Sequence, residues 1–204
     1  MKLISNPASP FARKVRIFAI ETGLAVRIEI VDIASTPANP NPDLARENPL
    51  VKFPTLITDS GERLYDSLVI CDYLDSLHPG AKLIPPLGGA RWKVLRVHAL
   101  GNGMADAGIL ARYELAQRPP ELQWKDWTAG QMTKVRGGVD ALEHDMASLA
   151  GTLNIGQIAV ACALGYLDFR FPDEDWRKRG PKLAAWFEGF AKRPSFTATM
   201  PVAL

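Results

Sequence analysis

Asn48–Leu77, NPLVKFPTLITDSGERLYDSLVICDYLDSL, is the stretch on which the fold turns. Its first half reads as two short strands, Thr55–Thr58 and Arg63–Tyr65, around Asp59-Ser60-Gly61-Glu62, a clear hairpin turn signal. Its second half changes period. Ser67 to Leu77 has helical spacing, offers Leu68, Cys71, Tyr73 and Leu74 to a core, and stops at His78-Pro79-Gly80. Phe53-Pro54 opens the first strand, where proline is ordinary. Asp66-Ser67 supplies the cap of the helix.

Working outward, Lys2–Ser5 reads as a strand and Phe11–Glu21 as a helix, with Phe11, Val15 and Phe18 at helical spacing and an end near Gly23. Arg27–Val31 is a second strand with Ile28 and Ile30 on one face, and Ser35–Asn41, rich in Pro and Asn, is loop. The order βαβ, hairpin, helix predicts an α/β domain with a small mixed sheet over residues 1–79. Residues 80–90, with Pro85, Pro86, Gly88 and Gly89, read as a linker. Beyond it β signals almost vanish. Arg91–Gln117, Leu122–Leu149, Ile155–Phe169 and Pro181–Lys192 read as helices, separated by Pro119-Pro120, Gly151 and Pro172. Gly137-Gly138 is expected to weaken or bend the second of these. Residues 91–204 form an all-α domain.

Composition narrows the function classes. With 47% apolar and 23% charged residues, the chain is an ordinary globule. No apolar run approaches the ~20 residues that span a bilayer, and Met1–Ser5 is too short for a secretory signal, so no membrane is expected and the cytoplasm is the expected location. Cys71 and Cys162 make no disulfide framework, although a bond between the two stays open. His78, His98 and His144 lack metal-ligand spacing and read as surface or interdomain residues, so no metal is expected. Residues 1–80 carry 8 basic and 10 acidic side chains, the remainder 16 and 12. Neither balance suits a nucleic-acid partner. Trp92, Trp124, Trp127, Trp176 and Trp186 read as core or interface.

Four local features carry chemistry. Ser9-Pro10 starts a helix: serine caps it, proline fits its first turn, and the same helix end is an anion site. A thiol placed there has its pKa lowered from about 8.5, and a neighbouring hydroxyl donates to the sulfur anion. Phe53-Pro54 would turn the Phe53 backbone towards a ligand if its peptide bond were cis, which sequence alone leaves open. Asp66-Ser67 is by itself an N-cap; read functionally, it is a carboxylate and helix end that match the ammonium and carboxylate of an α-amino acid. A γ-glutamyl group has that pair. Asn154-Ile155-Gly156-Gln157 is a capping box for a very apolar helix.

In this order the features resemble the glutathione transferases. Ser9–Val15 (SPFARKV), Asn48–Thr55 (NPLVKFPT) and Leu64–Leu74 (LYDSLVICDYL) carry the likeness, and Ile155–Trp176 and Arg193–Pro201 (RPSFTATMP) resemble a bacterial group. The resemblance implies a thioredoxin-like α/β domain followed by an all-α domain. It places the sulfur contact on Ser9, the cysteinyl backbone contact on Phe53 beside Pro54, and the γ-glutamyl contacts on Asp66 and Ser67. Phe11 and Lys52 complete the implied glutathione set, Lys52 being either a glycine-carboxylate contact or a solvated loop lysine. The second-substrate pocket is expected between domains, on the helix after the linker, where Asn102, Asp106, Ile109 and Tyr113 share a face.

The sequence departs from its relatives in places. Omega-like and glutaredoxin-like relatives have Cys at the position of Ser9, and Ala12 replaces the second Cys of a thioredoxin-type pair, so disulfide exchange through a protein thiol here is excluded. Asp66 stands where many members have Glu. The implied activity is addition of glutathione thiolate to a small electrophile, or peroxide reduction, as in detoxification. Glutathione is then a co-substrate, no cofactor is bound, and the partner is a second copy of the chain. The alternatives are a glutathione-dependent thiol–disulfide oxidoreductase, disfavoured by Ser9, and a non-enzymatic scaffold for protein interaction.

Overall fold

The computed structural model describes residues 1–203; Leu204, the last residue of the expected second domain, lies outside them. The chain forms two compact units, Met1–Ile84 together with the stretch from Pro194, and Pro85–Arg193.

The first unit is built on a four-stranded sheet of order β2-β1-β3-β4, with β1 Lys2–Ser5, β2 Glu29–Asp32, β3 Thr55–Ile57 and β4 Arg63–Leu64. β1 pairs parallel with β2 and antiparallel with β3, which pairs antiparallel with β4. The parallel pair needs a crossover, and the helix α1 Pro10–Glu21 supplies it. α3 Ser67–Ser76 follows the hairpin. Leu3, Val15, Ile17, Phe18, Leu56, Ile70, Cys71 and Leu74 are fully buried among these elements. Each large aliphatic or aromatic side chain contributes about 1.5–3 kcal/mol by leaving water. This is the thioredoxin-like α/β arrangement expected.

The stretch expected to be loop is followed by a short helix the periodicity did not reveal, α2 Pro42–Glu47, capped by Asn41, which accepts from the Asp43 and Leu44 amides. The second strand starts later than expected because Ala25–Arg27 form a 3-10 turn. Asp75, which the sequence did not single out, is buried: its carboxylate accepts from Leu83 N, Ile84 N and His78 Nε2. It anchors residues of the expected linker to the first unit. His78, expected at a surface or between domains, is half-buried, with its side chain largely covered and bonded to Asp75.

The second unit is all-α, as expected. It contains α4 Gly88–Gln117, α5 Lys125–His144, α6 Ile155–Arg170, α7 Trp176–Arg179 and α8 Pro181–Ala191. α4 begins three residues before the expected Arg91. α6 is buried on nearly every side and starts with the capping box that its sequence predicts: Asn154 accepts from Gly156 N and Gln157 N, and Gln157 reaches back to Asn154 N. α5 runs continuously through Gly137-Gly138. Gly138 permits close packing, since a Cβ there would lie 2.5 Å from Met104 Cγ. Of the tryptophans, Trp176 is core, whereas Trp92, Trp124 and Trp127 are exposed on their unit. His98 is buried within α4, not at a surface. Cys71 and Cys162 are each buried and form no disulfide. Among the described residues, no helix is long and apolar enough to cross a membrane.

The chain then returns. Residues 194–203, expected in the all-α domain, pack with the first unit, starting with α9 Pro194–Thr197. Arg13 of α1, only 3% exposed, explains the attachment: its Nη2 donates to Phe196 O at 3.0 Å, and its guanidinium carbon lies 3.7 Å above the Phe196 ring. Ser195 Oγ donates to Glu21 at the other end of α1.

Candidate functional site

Strand register brings the three sequence motifs of the first unit to one end of its sheet. Ile4 is opposite Thr55, and Leu56 is opposite Leu64. Ser5, Thr55 and Leu64 therefore close the same end of the sheet, and Pro54 and Asp66 adjoin that end along the chain. Neighbouring strands lie about 4.8 Å apart, so the ends of β1, β3 and β4 span about 10 Å. An extended tripeptide has about that length.

The turn after β1 is shaped by a residue the sequence reading overlooked. Asn6 Oδ1 accepts from Ala8 N, its Nδ2 donates to Ile33 O, and its carbonyl accepts from Ser9 N. Ser9 is thereby fixed as the N-cap of α1, with Oγ accepting the Ala12 amide at 3.2 Å. Among the described residues the Ser9 hydroxyl proton has no acceptor. Capping occupies the oxygen and leaves the donor unused, so capping and donation to an anion are compatible. Phe11, two residues on, is half-buried. Ser5 Oγ is buried and without a hydrogen-bond partner.

The loop before β3 is organised by Asn48, 1% exposed. Its Nδ2 donates to Thr55 Oγ1 at 2.9 Å and Lys52 O at 3.2 Å, and its Oδ1 accepts from Leu50 N. These bonds hold Val51 at φ 50°, a left-handed conformation that costs a β-branched residue about 1–3 kcal/mol. The Phe53-Pro54 bond is cis. The ladder starts at Thr55, so Phe53 lies outside it. Lys52 is exposed. An Asn before a proline reads as a turn residue, and only the fold reveals it as an internal brace.

Asp66 caps α3, accepting from Leu68 N at 3.0 Å through Oδ1. Among the described residues its Oδ2 has no partner. Ser67 follows, almost wholly buried. The Tyr65-Asp66 bond is also cis. The end of the sheet thus presents a hydroxyl donor at one helix N-terminus, a backbone segment outside the ladder, and a half-occupied carboxylate at a second helix N-terminus. A zwitterionic amino-acid end and an anionic sulfur are the groups this set is able to hold.

In the second unit, Asn102, Asp106, Ile109 and Tyr113 lie along α4, Asp106 exposed and the other three half-buried. Burial holds the Tyr113 phenol above its ordinary pKa.

Comparison with known proteins gives this arrangement a family. Residues 8–77 match the model of the Glutathione S-transferase N-terminal domain, and residues 125–189 that of the Glutathione S-transferase C-terminal domain. The uncharacterized GST-like protein YibF of Escherichia coli K12 is 35% identical over 206 residues, 98% of each chain. The chain belongs to the glutathione transferase family. A family member from Pseudomonas fluorescens Pf-5, solved with bound glutathione, is 48% identical to this transferase-family chain. It has a TM-score of 0.97 and 99% of both chains are covered. A second structure from that organism, with bound S-(propanoic acid)-glutathione, is 47% identical, with a TM-score of 0.92 over 98% of this chain and 99% of the other.

Proposed function

We propose that this chain adds the thiolate of glutathione to the electrophilic carbon of a small molecule. The observation that carries the reading is Ser9, whose oxygen is used in capping α1 while its proton is unused, at the positive end of a 12-residue helix. That proton and the helix end together hold a thiolate sulfur, favouring the anion by about 1.4 kcal/mol for each unit of pKa lowering. Asp66 Oδ2 takes the γ-glutamyl ammonium, and the first amides of α3 with Ser67 take its carboxylate. The Phe53 backbone beside Pro54 pairs with the cysteinyl residue, Phe11 lines the sulfur end, and Lys52 takes the glycine carboxylate. Asn102, Asp106, Ile109 and Tyr113 of α4 serve the second substrate.

The reaction is an addition. The sulfur lone pair forms a C–S bond with the β-carbon of an activated alkene. The displaced π pair moves to the adjacent carbon, which takes a proton from water. Binding of glutathione and of a sulfur-substituted glutathione by the Pseudomonas relatives supports this reading. The sulfur substituent favours conjugation over peroxide reduction, which would use the same thiolate. The proposed active species is a homodimer.

Calorimetric titration with glutathione, then thiol consumption against a panel of activated alkenes and a hydroperoxide, tests the proposal. Micromolar-to-millimolar binding with alkene-dependent thiol loss is expected. Absence of glutathione binding would overturn it, and hydroperoxide-only turnover would replace conjugation with peroxide reduction.

A further inference from the structure

The second unit contains a group of side chains of which the reading above uses only one: Arg112 and Tyr113 on α4, and Tyr166 and Arg170 on α6. The close crossing of the two helices brings them together. A Cβ on Gly101 would lie 2.7 Å from Val160 N, and one on Gly108 would lie 3.4 Å from the Tyr166 ring. Arg112 stands one turn beyond Gly108 on that face, and Arg170 one turn beyond Tyr166. Tyr166 is 6% exposed, and the other three are half-buried.

The charges of this group are unbalanced. Burial above all, and then Arg112 nearby, disfavour the charge on Arg170, while its contact with the Tyr166 hydroxyl favours it, and both arginines act on that hydroxyl. Among the described residues neither arginine has an acidic partner. The acids nearest in sequence are engaged elsewhere: Asp168 with Arg177 and the Trp176 indole, Glu114 with Arg118 and Trp124 N. Arg170 Nε is buried with no hydrogen-bond partner, one of two such side-chain atoms among the described residues. A buried N–H on a charged group left unsatisfied is costly, and two neighbouring guanidiniums without a counter-charge compound the cost. Burial, the main cause, lifts the Tyr166 phenol to about 12 and also raises that of Tyr113, so both remain protonated donors at neutral pH.

We propose that Arg112, Tyr113, Tyr166 and Arg170 form a carboxylate-binding site and that, if the transferase reading holds, it receives the acid group of the second substrate. A carboxylate is planar and accepts side by side from a guanidinium fork, which would satisfy Arg170 Nε and separate the two positive charges. The substrate class is then a small electrophile carrying a carboxylic acid.

The test compares molecules that differ by one charge. Binding of benzoate and benzamide to the full-length protein is followed by nuclear magnetic resonance titration. Benzoate is expected to bind at least about tenfold more tightly, with the preference lost in Arg170→Met and Arg112→Met and only partly kept in Arg170→Lys. Unchanged circular dichroism qualifies each variant, and the half-buried Arg112 provides a second route if Arg170→Met does not fold. Equal affinity for the two probes in wild type would overturn the site. So would an undiminished preference for benzoate in folded Arg170→Met and Arg112→Met. A parallel assay measures glutathione turnover of acrylate against acrylamide, where the acid-over-amide ratio is expected to fall about tenfold in the variants. Benzoate preference without turnover of either alkene would sustain the carboxylate site and sink the conjugation reading.

Discussion

The Ser9 hydroxyl oxygen accepts the amide hydrogen of Ala12 at 3.2 Å, so one side chain closes α1 through its oxygen and keeps its proton for another partner. Ser9→Ala therefore removes two things at once. The lost cap is expected to lower stability by about 1 kcal/mol. The lost donor is expected to raise the pKa of bound glutathione and reduce neutral-pH turnover, though not to zero, because the helix end remains. Ultraviolet absorbance of bound thiolate against pH measures the second effect separately from the first. The same midpoint in both proteins would leave Ser9 as a cap alone.

Asp66→Asn keeps an acceptor for Leu68 N but removes the charge facing an ammonium group. Glutathione affinity is expected to fall by about 1.5–3 kcal/mol, roughly 10- to 150-fold, with the melting temperature little changed. Calorimetry decides, and an analogue lacking the γ-glutamyl amine should not distinguish the two proteins.

Asn48→Ala is expected to be costly in a different way. It strips the Lys52 carbonyl, Thr55 hydroxyl and Leu50 amide of a buried partner, at about 1–3 kcal/mol, and releases Val51 from its left-handed conformation. Chemical denaturation should show the loss, and glutathione binding should weaken with it because Phe53 hangs from this loop.

These residues show what local sequence reveals and what it hides. Ser9, Asp66 and Asn154 are caps, and capping chemistry lies within four residues of chain, so all three could be read in place. The hairpin, the mixed sheet and the helical second half were legible for the same reason, through period and turn residues. Asn6, Asn48 and Asp75 were not, because their partners are settled by strand register and by the path after α3. The tryptophans divide, and hydrophobicity alone does not say how. Hydrophobicity favours burial, yet Trp92, Trp124 and Trp127 remain on the surface of their unit. Gly138 also has a packing role that local sequence hides, since its partner Met104 lies on another helix.

The Tyr166 phenol gives a pH prediction. Burial lifts it from 10.0 to about 12. Between those values the unfolded chain releases the proton while the folded chain retains it. Its contribution is thus intact below pH 10 and lost as pH rises towards about 12, by up to roughly 3 kcal/mol. Tyr166→Phe should flatten this part of the stability profile, as read by denaturant midpoints across alkaline pH. An unchanged slope would place the buried proton elsewhere.

Arg13 rests on the ring and carbonyl of Phe196, 183 positions further along the chain. On the ribosome these two residues emerge far apart in time. At about 5–20 residues per second, Phe196 follows Ile84 by roughly 6–22 s. Through that interval the sheet and α1 exist as polypeptide, but Arg13 lacks both the Phe196 carbonyl and its aromatic cover. The unit translated first is therefore completed last. A nascent chain stalled before Phe196 would leave the Arg13 flank of α1 open to water, to chaperones and to proteases.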